Sequence, residues 1–233
     1  MDYEIRGLSL YILPKAPVVI REYISRFMEI LGFYGKEHLF EKHTDIRYYD
    51  YKLYFHGISI KVPKDDQICK HGFEIFFGPA GVDYYQFSIF LESVFDICEL
   101  FSDTCSVRCN LINIDYKNAF DKSHIDLDYI RYAYGTGTYK TRQRKFKYTH
   151  ICNPNSKGCT EKCKSILTIG SRTSSSSIVF FEKDHEMQIF LSLRKCYSAD
   201  VLKMIHTAYY DSEIDSLFEK IFDKYIFGFP ILR

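Results

Sequence analysis

Short runs of alternating apolar and polar residues recur along this chain, and a period of two is typical of half-buried β-strands. The pattern predicts strands over residues 8–13, 53–62, 73–77, 107–115, 145–151, 166–169, 178–181 and 188–193. Gly57 falls inside the second of these runs, where we expect a β-bulge. The segment Gly78-Pro79-Ala80-Gly81 is typical of a turn.

Other segments repeat their apolar residues at helical spacing. Ile20, Ile24, Phe27 and Leu31 predict one helix, and Gly32 is placed to end it. Further helices are predicted over residues 84–101, 123–132, 199–209 and 213–225, with Ser123 and Ser198 as N-caps. Together these elements predict an α+β fold, a mostly antiparallel sheet covered by helices, with a short C-terminal helical segment. We expect a main domain over residues 1–195 and the helical segment, residues 196–233, packed on it.

Charge is distributed unevenly along the chain. The formal net charge is only +1, yet residues 129–160 contain no acidic residue. Positive charge attracts nucleic-acid phosphates by counterion release, and interleaved aromatic rings stack on unpaired bases. We therefore predict nucleic-acid contacts from Lys140, Arg142, Arg144, Lys145 and Lys147. The alternative is an edge strand whose lysines oppose aggregation.

Hydropathy excludes a membrane class. No run approaches 18 apolar residues, and the N-terminus lacks the basic lead-in and cleavage site of a secretory signal. We expect a cytoplasmic protein with mostly free thiols.

His150, Cys152, Cys159 and Cys163 form an H-x-C-x6-C-x3-C pattern. Zinc takes four such ligands in tetrahedral geometry, so the pattern predicts a zinc site. The pattern lacks the paired C-x2-C knuckles of a typical zinc motif, and loop thiols are the alternative.

A Gly-Ser-Arg turn between two predicted strands is the second candidate for phosphate binding. The guanidinium of Arg172 matches the geometry of a phosphate, and Ser171 and Thr173 offer hydroxyl donors. The alternatives are a solvated arginine and, for the serine run 174–177, a flexible loop.

Five segments, in order, resemble the motifs of the Rep_trans (replication initiation factor) family of rolling-circle plasmid replication initiators and conjugative relaxases. They are a tyrosine- and glycine-containing hairpin at residues 48–62, a strand, turn and helix at 72–86, an RxDxAxD-like strand at 107–115, a GSRxS turn at 170–174 and a strand end at 180–183. The resemblance covers residues 48–194. It implies an initiator-like domain over residues 1–195 and DNA as the partner.

In that family a tyrosine on the last of these strands attacks a DNA phosphate. Phe181 stands at the matching position and has no hydroxyl. The resemblance therefore implies a protein without a catalytic residue, whereas Lys183 matches a lysine of the family and is predicted to bind DNA.

The family also holds a divalent cation with carboxylates. With Arg108 aligned to the family arginine, Asn110 and Ile114 take the positions of two aspartates, and a shift by one residue recovers only Asp115. Phe190 and Ser192 stand where a later strand of the family carries two glutamates. The resemblance thus implies that the divalent-cation site is lost.

We therefore expect a DNA-binding relative of the rolling-circle initiators of a plasmid, phage or integrative element, which recognises single-stranded or hairpin DNA without nicking it. One alternative is an active initiator or relaxase in which Phe181 is a substitution or another tyrosine, such as Tyr197, attacks. A second alternative is a module that binds a protein partner instead of DNA, for example as an inhibitor of a host or phage defence enzyme. The oligomeric state stays open.

Overall fold

The computed structural model describes residues 2–44, 46–117, 127–128, 131–132, 136, 146–151, 164–171, 173–183 and 186–227. Within these residues lie a ten-stranded sheet and several helices, which confirms the prediction of an α+β fold. The strand pairs with a defined register are all antiparallel. The chain forms two compact units: an N-terminal unit, Ile5–Ile112, and a C-terminal unit, Met1–Glu4 with Asn113–Arg233. The boundary at residue 195 stays a prediction.

The N-terminal unit is built on the strands β1 (Asp2–Pro14), β2 (Glu41–His43), β3 (Tyr49–Phe55), β4 (Ile58–Pro63), β5 (Phe73–Phe77) and β6 (Cys105–Lys117). Their order is β2-β3-β4-β5-β1-β6. At the centre Leu10 of β1 lies opposite Ile75 of β5, and both side chains are fully buried. The core of this unit therefore follows the predicted alternation.

A tight hairpin joins β3 to β4, so the prediction of one bulged strand over residues 53–62 is wrong. His56 and Gly57 form the turn with φ angles of 43° and 80°, and two successive positive φ values are what a type I′ turn requires. The register instead shifts between Tyr49 and Tyr51.

Three α-helices accompany these strands, α1 (Ile20–Ile30), α2 (Pro79–Tyr84) and α3 (Phe87–Leu100), with short 3-10 helices at Glu37–Leu39 and Asp65–Gln67. The predicted end of α1 is confirmed by Gly32, which has a φ of 72°. The turn predicted over residues 78–81 is wrong, because Pro79 starts α2. Proline suits the first helical position, where its fixed φ is already helical and its missing N–H would have had no partner.

The C-terminal unit contains β7 (Phe146–Ile151), β8 (Lys164–Ile169), β9 (Ser176–Lys183) and β10 (Glu186–Arg194), in the order β6-β10-β9-β8-β7. Leu167 of β8 lies opposite Phe180 of β9, which lies opposite Ile189 of β10. All three side chains are buried. They form the centre of the unit's apolar face.

Two helices follow β10: α4 (Cys196–Tyr210) and α5 (Ile214–Phe222), the latter continuing into a π-helical turn at Asp223–Phe227. The ring of Tyr116 on β6 lies 4.9 Å from that of Phe222, and its hydroxyl donates to the carbonyl of Phe218 at 3.2 Å. Tyr3 stacks on Phe218 with ring centroids 4.0 Å apart. Helix α5 therefore packs on β1 and β6 by aromatic contacts.

Ser198 lies in the first turn of α4, and its hydroxyl donates to the carbonyl of Lys195 at 2.9 Å. The prediction that Ser198 precedes the helix as its N-cap is therefore wrong, because the helix begins two residues earlier. Of the helix predicted over residues 123–132, positions 127–128 and 131–132 are helical, and the rest lies outside the described residues. In the part of the chain that the structure describes, no helix has both the length and the apolar character needed to cross a bilayer.

Candidate nucleic-acid interface

The β7–β10 sheet has one buried face and one accessible face. Strand registers and the alternation of side chains assign the positions of each face. The accessible positions, which we call the open face, are all half-buried or exposed. They are Lys147, Thr149, Ile166, Thr168, Ser177, Val179, Phe181, Gln188, Phe190 and Ser192.

Phe181, at the position where the family resemblance places a tyrosine, lies in the middle of the open face. Its neighbours across the strands are Ile166 on β8 and Gln188 on β10. The adjacent Phe180 points to the buried face. The structure thus presents Phe181 rather than Phe180 to solvent, half-buried and without a hydroxyl.

The turn that joins β8 to β9 is closed by its own hydroxyl groups. Ser171 and Ser174 have their hydroxyl oxygens 3.0 Å apart, and the hydroxyl of Thr173 lies 3.1 Å from that of Ser171. The backbone N–H of Ser171 donates to the Ser174 hydroxyl at 3.0 Å. These bonds hold several rotatable donors at one end of the sheet. Arg172 lies outside the described residues.

The serine run is only partly a loop. Ser176 and Ser177 belong to β9, with Ser177 opposite Ser192 of β10. The alternative of a flexible loop over residues 174–177 is therefore wrong for these two residues. Strand pairing fixes their backbone, which leaves the hydroxyl of Ser177 on the open face.

Of the five basic residues predicted above to contact nucleic acid, which we call the basic stretch, Lys147 is the one whose side chain is described, and it is exposed on β7. Tyr148 points to the other face, where its hydroxyl donates to Asp128 at 3.1 Å and the Arg131 guanidinium lies 4.9 Å from its ring. Burial and Asp128 raise the pKa of Tyr148. The predictions for Lys140, Arg142, Arg144 and Lys145 lie outside the described residues, as does the side chain of Lys183.

The positions compared above with the family's carboxylates do not fit a divalent cation. Ile114 is 1% exposed and, like Phe190, offers no oxygen ligand. Asn110 is exposed, and Ser192 is half-buried on the open face. Asp115 is 2% exposed and lies on the face of β6 opposite to Ile114.

The zinc prediction lies almost wholly outside the described residues. His150 is part of β7, but its side chain and the residues Cys152, Cys159 and Cys163 are not described. Among the residues that are described, no group of three or more His, Cys, Asp or Glu side chains is arranged to hold a metal ion.

Arg194, at the end of β10, is a candidate that the sequence reasoning missed. By alternation it points to the same side as Phe190 and Ser192, and its backbone N–H donates to the carbonyl of Ser175 at 2.7 Å. Its Nη1 is buried and has no hydrogen-bond partner among the described residues. Burial lowers the pKa of Arg194. The sequence contains the corresponding signal, because Arg194 follows Gln188 and Ser192 at even spacing and so falls on the same face of the strand.

Comparison with known proteins gives a structural similarity but no sequence match. No family model matches the sequence, and no curated protein matches it. Among solved structures, the chain is similar to the rolling circle replication initiator protein from Geobacillus stearothermophilus, with a TM-score of 0.62. The chain has the fold of a rolling-circle initiator. The similarity covers 88% of this chain and 78% of the initiator at 13% sequence identity, so the two proteins share a fold on very different sequences.

Proposed function

We propose that this protein binds single-stranded or hairpin DNA as a non-nicking relative of the rolling-circle initiators, in the replication of a plasmid, phage or integrative element. The observation that carries the proposal is the fold shared with the Geobacillus initiator over most of both chains. The protein acts in the cytoplasm by occupying or presenting a DNA site.

DNA contact is supported by charge and by hydroxyl donors. Phosphate groups are bound by Arg172 and Lys183 and by the basic stretch Lys140, Arg142, Arg144, Lys145 and Lys147. Ser171 adds a hydroxyl from the β8–β9 turn, where it already lies within a network of three hydroxyl groups.

The absence of nicking is supported by the residues that stand at the positions of the family's nucleophile and cation ligands. A nucleophile needs a hydroxyl, and Phe181 has none. A hard cation needs oxygen ligands, which Ile114 and Phe190 do not offer. The protein therefore binds DNA without using a divalent cation.

Zinc is a separate part of the proposal. His150, Cys152, Cys159 and Cys163 hold one structural zinc ion within the segment 150–163. Metal analysis of the purified protein should then find about one zinc ion per chain. A Cys159→Ser/Cys163→Ser variant, which lacks two of the four ligands, should contain no zinc.

Binding is expected to weaken steeply with salt. If five to seven of the proposed cations neutralise phosphates, log K should fall against log salt with a slope between about −3 and −5. The measurement is fluorescence anisotropy with single-stranded, hairpin and duplex DNA, with and without Mn²⁺, and with the products run on a denaturing gel. No binding to any of the three forms would overturn the proposal and favour a protein partner, and Mn²⁺-dependent cleavage would favour an active initiator.

A Phe181→Tyr variant is expected to bind DNA like the unchanged protein and to leave it uncut. A hydroxyl alone is not sufficient, because the cation that would polarise the phosphate still has no carboxylates at residues 114 and 190. Denaturing electrophoresis checks for a cut strand and for a covalent protein–DNA adduct, with Phe190→Tyr as the matched control. An adduct formed by the Phe181→Tyr variant alone would mean that the site retains its chemistry and that the non-nicking assignment is wrong.

A further inference from the structure

The open face carries no negative charge among its described side chains. Its cation is Lys147 on β7, and the other members are hydroxyl, amide, aliphatic and aromatic residues. Glu182, the nearest acidic residue on β9, points to the opposite face by alternation. The described side chains of this face therefore present a polyanion with no carboxylate; Glu186, at the start of β10, continues the register of Gln188, and its side chain lies outside the described part of the chain.

Two phenylalanines stand at the centre of the open face. Phe190 lies opposite Val179, and Phe181 lies opposite Gln188, so the two rings are diagonal neighbours on adjacent strands. Phe190 is 37% exposed and Phe181 is half-buried. These are the residues that stand where the related family has its nucleophile and a metal-binding glutamate. Compared with that family, residue 181 keeps the aromatic ring without its hydroxyl, and residue 190 has an aromatic ring in place of a carboxylate.

Arg194 adds a phosphate ligand at one end of this face. It lies four residues from Phe190, which is about 13 Å along the strand. A buried guanidinium N–H without an acceptor costs free energy, and Nη1 of Arg194 has no partner in the described part of the chain. Arg194 as a whole is half-buried, so a phosphate oxygen at this end of the face becomes that acceptor, in charge-assisted form, once the guanidinium turns outward.

We propose that the open face is a stacking surface for unpaired nucleotides, with bases on Phe181 and Phe190 and a backbone phosphate at Arg194. The inference rests on the proposed function, since it specifies how the DNA strand is held. Duplex DNA offers no free base faces to the two rings, so this surface selects single strands over duplex. In place of a site that nicks DNA, the face is then a site that binds single-stranded DNA without cleaving it.

The sequence contains no tryptophan, so one introduced indole reports its own environment. In a Phe190→Trp variant, a dodecamer of thymidylate should quench the fluorescence by stacking, and an abasic strand with the same phosphates should not. Tyr34→Trp is the control, because Tyr34 is an aromatic residue that is 72% exposed in the N-terminal unit. Its fluorescence should not change with either strand. Equal quenching of both variants, or quenching by the abasic strand, would overturn the inference.

A second measurement separates stacking from charge. The Phe181→Leu/Phe190→Leu variant should bind the thymidylate strand about 30-fold or more weakly, from about 1 kcal/mol or more per base, with an unchanged salt slope. Phe181→Tyr/Phe190→Tyr should restore the affinity, because it keeps the rings. Arg194→Gln should instead reduce the salt slope by about 0.7.

The outcomes distinguish the two proposals. If the unchanged protein binds the strand and the double leucine variant binds it equally well, the stacking surface is refuted while DNA binding stands. If the unchanged protein binds neither the thymidylate strand nor the abasic strand, the stacking surface is refuted, and the proposed function fails as well if hairpin and duplex DNA are also not bound. Should the double variant not fold, Phe190→Leu alone serves, since a partly exposed side chain tolerates this change, and unchanged affinity for the thymidylate strand would again refute stacking.

Discussion

Neutralising four cations of the basic stretch, as Arg142→Gln, Arg144→Gln, Lys145→Gln and Lys147→Gln, should weaken single-strand DNA binding about 100-fold at 0.15 M salt. Each phosphate contact on a single strand contributes about 0.7 to the salt slope, so the slope should also fall by about 3. The reason is physical: each contact releases a condensed counterion, and the gain from that release depends on bulk salt. Anisotropy titrations over a salt series measure both quantities.

The matched control removes the same charge elsewhere. Lys36, Lys64, Lys70 and Lys203 are exposed and lie outside the basic stretch and the open face; changing all four to Gln lowers the net charge equally. If both quadruple variants lose the same affinity, the attraction is a general charge effect and the basic stretch is no specific site. If neither loses affinity, the stretch is an ordinary edge of the sheet, as its alternative interpretation holds.

The sequence predicted most elements because their patterns are local. β5 matches its prediction at both ends, since Phe73, Ile75 and Phe77 alternate with polar or half-buried positions. For the β3–β4 hairpin the alternation pattern predicted one bulged strand, whereas the family resemblance places a hairpin at residues 48–62. Apolar residues change from odd to even positions between Phe55 and Ile58, and a two-residue turn and a bulge both produce that change.

The open face could not be predicted because it depends on strand register. Phe180 and Phe181 are adjacent and chemically identical, so the sequence does not say which one faces the core. Pairing with Leu167 and Ile189 decides it in favour of Phe180. Arg194 has a different reason: the family resemblance compares only two positions of β10, Phe190 and Ser192, and Arg194 lies beyond both.

Gly57→Ala should destabilise the N-terminal unit by about 2–5 kcal/mol. An added Cβ would lie 2.6 Å from the backbone nitrogen of Gly81 and 3.1 Å from the Ala80 side chain. These atoms belong to the start of α2, which the turn also contacts through the Gly78 N–H, donating to the Gly57 carbonyl at 2.8 Å. Backbone cannot move aside cheaply, so overpacking of about 1–3 kcal/mol adds to the left-handed strain of about 1–2 kcal/mol.

Gly35→Ala separates the two costs. Gly35 has a φ of 72°, close to the 80° of Gly57, but an added Cβ there meets nothing within 4 Å. The Gly35→Ala variant should therefore lose only the free energy of unfolding that corresponds to the left-handed strain, about 1–2 kcal/mol. Urea unfolding of the two variants measures the difference, which is the steric cost of approaching α2. Equal losses of unfolding free energy in the two variants would show that the turn is not in tight contact with α2. A larger loss for Gly57→Ala, with an unchanged slope of unfolding free energy against urea concentration, would show that the close contact of turn and helix stabilises the fold of this unit.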